Sequence, residues 1–160
     1  MVEIWILRLG EEALLANVAP GVFDQSIDAQ LATEFLRDKR HHLAVAIEDA
    51  LIVGMASAVH YVHPDKRPQL WINEVGVAPT HRGQGLGKAL LSALLENGKS
   101  FGCSEAWVFT DRANISAMRL YSSLGGMESK KDQVIFTFRL SAERDESHLE
   151  QEPRFPRKQP

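Results

Sequence analysis

The segment Arg82-Gly83-Gln84-Gly85-Leu86-Gly87 sets three glycines between a β-rich run and the most regular helical pattern of the chain. Before it, Leu70 to Val77 reads as a strand; after it, Leu86, Ala89, Leu90, Ala93, Leu94 and Asn97 recur at helical spacing, apolar until the last member, with Gly102 closing the helix. A strand that turns through glycines straight into a long helix leaves several backbone N–H groups unpaired and converging, where the helix dipole adds partial positive charge. Such a place suits a phosphate, and Arg82 or Lys88 can add charge-assisted contacts. The same glycines also serve ordinary turns, so the loop alone does not decide.

The rest of the chain supplies a mixed α/β frame. Val2 to Leu9 reads as a strand ending at Gly10, a short helix follows, and Asp28 is a candidate N-cap for a helix over roughly 29 to 38, with Ile27 stapling onto Ala32. His42 to Ile47 and Leu51 to Tyr61 flank Glu48-Asp49-Ala50 and read as an antiparallel hairpin. Val62 to Pro68 is a polar loop holding two prolines. Glu105 to Thr110 is a further strand, Asn114 caps a helix facing inward through Ala117, Leu120, Tyr121 and Leu124, and Val134 to Leu140 reads as a last strand. The element order β-α-α-β-β-β-α-β-α-β puts an antiparallel first half beside strands linked through helices. From Ser141 to Pro160 the composition turns charged and proline-containing, which predicts a disordered tail after one domain over 1–140.

With 160 residues, 44% of them hydrophobic, one core is affordable. The formal charge of -3 and the scattering of 18 basic residues speak against nucleic acid. No run approaches the roughly 20 apolar residues that cross a bilayer. The single cysteine, Cys103, and the lack of a leader-like start predict a cytoplasmic protein.

From Val75 to Gly87 the chain resembles the GNAT N-acetyltransferases, whose signature is a V-x-V-x-P strand, then R-G-x-G-x-G, then a helix; every fixed position is matched. A second block of that family, an Asn followed at helical spacing by Ala, Tyr and a glycine turn, is matched by Asn114, Ala117, Tyr121 and Gly125. The resemblance spans residues 2 to 140 in element order. It implies a mostly antiparallel sheet flanked by helices and splayed at the strand that binds acetyl-CoA. It also implies that the pantetheine arm pairs with the backbone of Val75 and Val77. The pyrophosphate then sits on the amides of Arg82, Gly83, Gln84, Gly85, Leu86 and Gly87, with Lys88 near. By the same resemblance Asn114 approaches the pantetheine or caps its helix, Tyr121 protonates the departing thiolate, and a homodimer is expected.

An alkylamine is mostly protonated at neutral pH, so attack on a thioester needs a proton acceptor. Glu74, one residue before Val75, is the first candidate base, against the plain alternative of a solvated edge-strand glutamate. Asn73 could orient a substrate group, although strand alternation sets Asn73 and Glu74 on opposite faces unless a bulge intervenes. Asp111 is a second acidic candidate, or one half of a turn. His60 and His63 have a metal-like spacing but no third ligand, so a substrate-cleft or surface role is expected and no metal. Cys103 suits a buried small residue better than an acyl carrier. The strand Trp71 to Val77 is similar to that of the small aminoglycoside 3-N-acetyltransferases. A polycationic acceptor of that kind would be met by Asp24, Asp28, Asp65, Glu74 and Asp111. A peptide or another small amine is the alternative acceptor, and an acetyl-CoA-sensing module without catalysis is the alternative function.

Overall fold

Alternating apolar residues in four consecutive runs build an antiparallel meander, and one helical crossover adds a parallel edge strand. The computed structural model describes residues 1–129, 134–138 and 140. Residues 1–109 form one compact unit and residues 110–160 a second. The first unit holds β1 (Glu3–Leu7), a 3₁₀ helix (Glu12–Ala16), α1 (Ala29–Arg37), β2 (His41–Glu48), β3 (Leu51–Tyr61), β4 (Gln69–Val77), a 3₁₀ turn (Pro79–His81), α2 (Leu86–Ser100) and β5 (Glu105–Val108). The sheet order is β1-β2-β3-β4-β5. All neighbours are antiparallel except β4 and β5, which the α2 crossover makes parallel. The second unit carries α3 (Ile115–Ser123). This is the mixed, mostly antiparallel sheet with flanking helices that the sequence implies.

The two faces of the sheet are covered by different elements. On one, α2 seals the core: Leu90 and Leu94 are fully buried, a Cβ on Gly54 of β3 would lie 3.1 Å from Leu90, and one on Gly98 would lie 2.9 Å from Leu70. On the other, Phe35 of α1 stacks on His41 of β2 at 4.8 Å. The segment after the 3₁₀ helix is pinned to β3 through Ala19 N–H to Ile52 O and Ile52 N–H to Asn17 O, both 2.9 Å. This carries Val22 across β4, where a Cβ on Gly76 would come within 2.0 Å of the Val22 carbonyl oxygen. Only glycine permits that crossing.

Asp28 caps α1 as expected, accepting from Gln30 N–H and Leu31 N–H at 2.8 and 2.9 Å. Asn114 likewise caps α3 through Ala117 N–H at 3.1 Å. Two expectations need correction. β5 stops at Val108, two residues short of the expected Thr110, because pairing with β4 ends at Ile72 opposite Val108. The strand expected over 134–140 does not form at the described positions 134–138 and 140: no ladder partner holds them among the described residues, and Phe136 and Phe138 are 77% and 79% exposed. The tail expected from 141 lies outside the described residues.

Beneath α2 two histidines are buried side by side. His42 Nε2 lies 2.8 Å from His60 Nδ1, His42 Nδ1 lies 2.9 Å from Asn97 Nδ2, and the exposed Phe101 packs on both rings. The Asn97 amide donates to Nδ1, so the proton of neutral His42 sits on Nε2 and is donated to His60. Burial, reinforced by the neighbouring His60 and His41, lowers the His42 pKa to about 4. His60 is lowered as well, first by burial and then by Arg40. Unfolded histidine titrates near 6.5, so between about 6.5 and about 4 the unfolded chain binds the proton that the folded chain refuses. Stability from this pair is complete above the upper value and is lost as pH falls toward the lower one. The melting temperature should therefore drop between pH 7 and pH 4, and more shallowly in His42→Asn; equal slopes would refute the linkage. Gly76→Ala should cost about 1–3 kcal/mol by overpacking against Val22, measured by denaturant unfolding.

Candidate active site

β4 carries one residue more than its neighbour. Ala58 of β3 pairs with Ile72 and Ser57 pairs with Glu74, so Asn73 is the extra, exposed residue of a β-bulge. Without it Glu74 would share the face of Leu70 and Ile72 under α2. With it, Val75 and Val77 turn to the α2 face and Glu74 joins Trp71 on the opposite face. The bulge raised as a condition in the sequence is thus present, and it sets Glu74 rather than Asn73 on the face of β4 that the Val22 segment crosses.

Glu74 is half-buried there, and its pKa is raised first by burial and then by the charge of Asp24. Both effects favour the neutral acid and move the group toward neutral pH, where it exchanges protons most readily. Asp24 itself is exposed. A cleft of about 690 Å³ runs between the 3₁₀ helix and α1, lined by Glu12, Phe23, Gln25 and Ala32 among others; Glu74 does not line it.

The pairing of β4 with β5 ends at Ile72, so from Asn73 to Val77 the backbone of β4 has no strand on its β5 side among the described residues. This is the expected splay. It leads through Pro79–His81 into the glycine loop. Gly83 and Gly85 both have positive φ, +76° and +81°, and nothing lies within 4 Å of a Cβ at either. Gly85 is the N-cap of α2 and no side chain among the described residues caps it. The first helical bond there is Ala89 N–H to Gly85 O, so the amides of Leu86, Gly87 and Lys88 precede the ladder. Open backbone, a free first turn and the α2 dipole make this loop fit for an anion. Arg82 Nε donates to Val77 O at 3.1 Å, which ties the guanidinium back onto the end of β4, and Gln84 Nε2 donates to Thr80 O at 3.3 Å. Lys88 is exposed.

His60 requires correction as an acceptor-cleft residue. It is 8% exposed, engaged with His42, and lies on the α2 face, opposite Glu74. Asp28 is committed to its cap. In residues 110–160, Asp111 accepts from Ala113 N–H at 2.8 Å and its carbonyl from Asn114 N–H at 2.9 Å, the turn that was its alternative reading. Arg112 pairs with Glu128. The Asn114 side-chain oxygen serves the α3 cap. Burial raises the Tyr121 pKa, so its phenol is protonated at neutral pH. The half-buried Cys103 thiol is also raised, by burial, away from a nucleophilic thiolate. Sequence reading missed a cluster of Tyr61, Trp71 and Trp107 on the Glu74 face, because each reads singly as an ordinary strand aromatic.

The sequence from 11 to 126 matches the model of the acetyltransferase (GNAT) family. Among curated proteins, it is similar to mycothiol acetyltransferase of Thermobispora bispora, 49% identical over 51 residues, covering 32% of this chain and 17% of that protein. It is also similar to N-acetyltransferase 8B of Homo sapiens, 38% identical over 84 residues, covering 51% and 36%. The chain thus spans well under half the length of these relatives. Among solved structures it matches an aminoglycoside acetyltransferase from an uncultured soil metagenomic sample, with a TM-score of 0.73 and 25% identity, covering 88% of this chain and 99% of that one. With a match that takes in the glycine loop, the bulged strand and α3 together, the chain belongs to the acetyltransferase (GNAT) family.

Proposed function

We propose that the chain transfers an acetyl group from acetyl-CoA to a primary amine of a small molecule, by direct attack within a ternary complex. The best-fitting acceptor is an aminoglycoside, at its 3-amino group. One observation carries the reading: within a dozen residues the chain presents a carboxylate of raised pKa, an unpaired strand edge and an uncapped glycine N-terminus. When bound, acetyl-CoA supplies the activated acyl group as a thioester. The backbone of Val75 and Val77 orients its pantetheine arm, and the amides from Arg82 to Gly87 take its pyrophosphate, with Lys88 adding charge. For Arg82 to join them, its guanidinium must turn from Val77 O. Glu74 accepts the ammonium proton, directly or through water, and Asp24 holds a second positive charge of the acceptor near it. The sequence resemblance assigns Tyr121 as proton donor to the leaving thiolate. Support for an aminoglycoside comes from the Trp71–Val77 strand pattern and from the named activity of the metagenomic relative.

Thiol release from acetyl-CoA across a panel of aminoglycosides, polyamines and short peptides tests the reading. Turnover of peptides alone would replace the small-molecule acceptor, and acetyl-CoA binding without any turnover would favour a sensing module. Glu74→Gln should lower kcat/KM at least about 100-fold and leave acetyl-CoA affinity nearly unchanged. In the parent protein kcat/KM should fall as pH drops through the raised Glu74 pKa, and that acid limb should vanish in the variant. Gly85→Ala, forced into a left-handed conformation costing about 1–2 kcal/mol, should weaken acetyl-CoA binding roughly tenfold, as read by calorimetry; unchanged affinity would remove the loop from the cofactor site.

A further inference from the structure

The Glu74 face of the sheet carries an aromatic cluster that the transfer chemistry does not use. Trp71 of β4 and Trp107 of β5 lie opposite each other in the parallel ladder, with ring centroids 5.2 Å apart and planes 11° apart. Tyr61 of β3 sits 6.2 Å from each, at 14° and 4°. Three rings stacked in one column would hold the outer pair about twice as far apart as neighbours. Here all three separations are similar, so the rings form a compact triangle whose members do not cover all of one another's faces. Each of the three is only half-buried. Within residues 1–109, α2 packs on the opposite face and α1 over β2 and the 3₁₀ helix.

The bulge at Asn73 connects this cluster to the chemistry. In an unbulged strand Trp71 would share its face with Asn73 and Val75; the extra residue gives it Glu74 instead. Trp71 and Glu74 are three residues apart, about 10 Å or less along the strand. Trp71 is thus within reach of the carbon skeleton of an acceptor whose amine lies at Glu74, and Tyr61 extends the same aromatic surface further along the sheet.

We propose that Trp71 and Tyr61, backed by Trp107, form the acceptor platform and select amines carried on a ring, whose C–H or π face stacks on the aromatics, over linear polyamines. The proposal rests on the acetyltransferase reading above and deepens it. Amino sugars and arylalkylamines share the recognised chemistry, an apolar ring face within one short spacer of a cationic nitrogen. Linear polyamines match the charge of Glu74 and Asp24 but present no face, so charge alone would not separate the two classes.

The test compares kcat/KM for a gentamicin-type amino sugar, tryptamine and spermidine in the full chain, with calorimetric binding of the amino sugar measured in parallel. Trp71→Ala and Tyr61→Leu should each lower the ring-to-linear preference roughly tenfold, chiefly through KM. Trp71→Phe should restore most of it, and Trp5→Phe on β1 should leave it unchanged. The amino-sugar and tryptamine arms show which ring class is taken. Tyr61→Leu keeps the test usable if Trp71→Ala fails to fold. A preference that is absent in the parent protein, or unchanged in both platform variants, overturns the proposal. If nothing turns over but the amino sugar binds and Trp71→Ala abolishes that binding, the platform stands and the transferase reading fails.

Discussion

The register of β4 against β3 governs what the rest of the molecule can do. Up to Ile72 the strand follows simple alternation, with Leu70 and Ile72 in the core under α2. One unpaired residue, Asn73, reverses the alternation. An ionisable Glu74 under α2 would be an uncompensated charge among Leu90, Leu94 and Ala56, which costs several kcal/mol. The bulge moves that carboxylate to the side where the chain before α1 crosses, and gives the core Val75 and Val77 in its place. The same strand then leaves its pairing with β5, so a single irregularity and a single divergence together free both a side chain and a backbone edge.

The crossing depends in turn on Gly76. The Val22 carbonyl lies where any side chain at position 76 would stand, so the segment from Val22 to Asp24 is seated on β4 rather than above it. That seating brings the Asp24 charge to bear on Glu74, adding to the burial that raises its pKa. Electrostatics on this face are acidic, while the N-terminus of α2, reached through the glycine loop, favours anions. Cations and phosphates would thus meet opposite fields at the two ends of one short stretch of chain.

Local signals were readable in the sequence wherever they were complete in a few residues. Asp28 and Asn114 cap the helices that follow them, the hairpin turns at Asp49 and Ala50, and the helix beginning at Leu86 runs to Ser100. What escaped depends on partners distant in sequence. The Asn73 bulge exists only in the register with β3. His60, polar and at the end of a hairpin strand, reads as a cleft residue, yet Asn97 and His42 satisfy the pair inside the core, 55 residues apart from each other. Alternation over 134–140 signals a strand, but a strand forms only where an edge receives it. The GNAT signature, being a contiguous loop with its flanking elements, was legible because the chemistry it serves is itself local.

The strand order of the sheet, identical to the order along the chain, also bears on how it is made. β2, β3 and β4 follow one another through short connections, so their pairings close small loops at little entropic cost. β1 must wait for the segment through α1 to be traversed, and β5 can join only once α2 has been laid across the meander. Folding nucleated on the β2–β4 meander would therefore set the Asn73 register early, so that the face carrying Glu74 is committed before the edge beside it is closed.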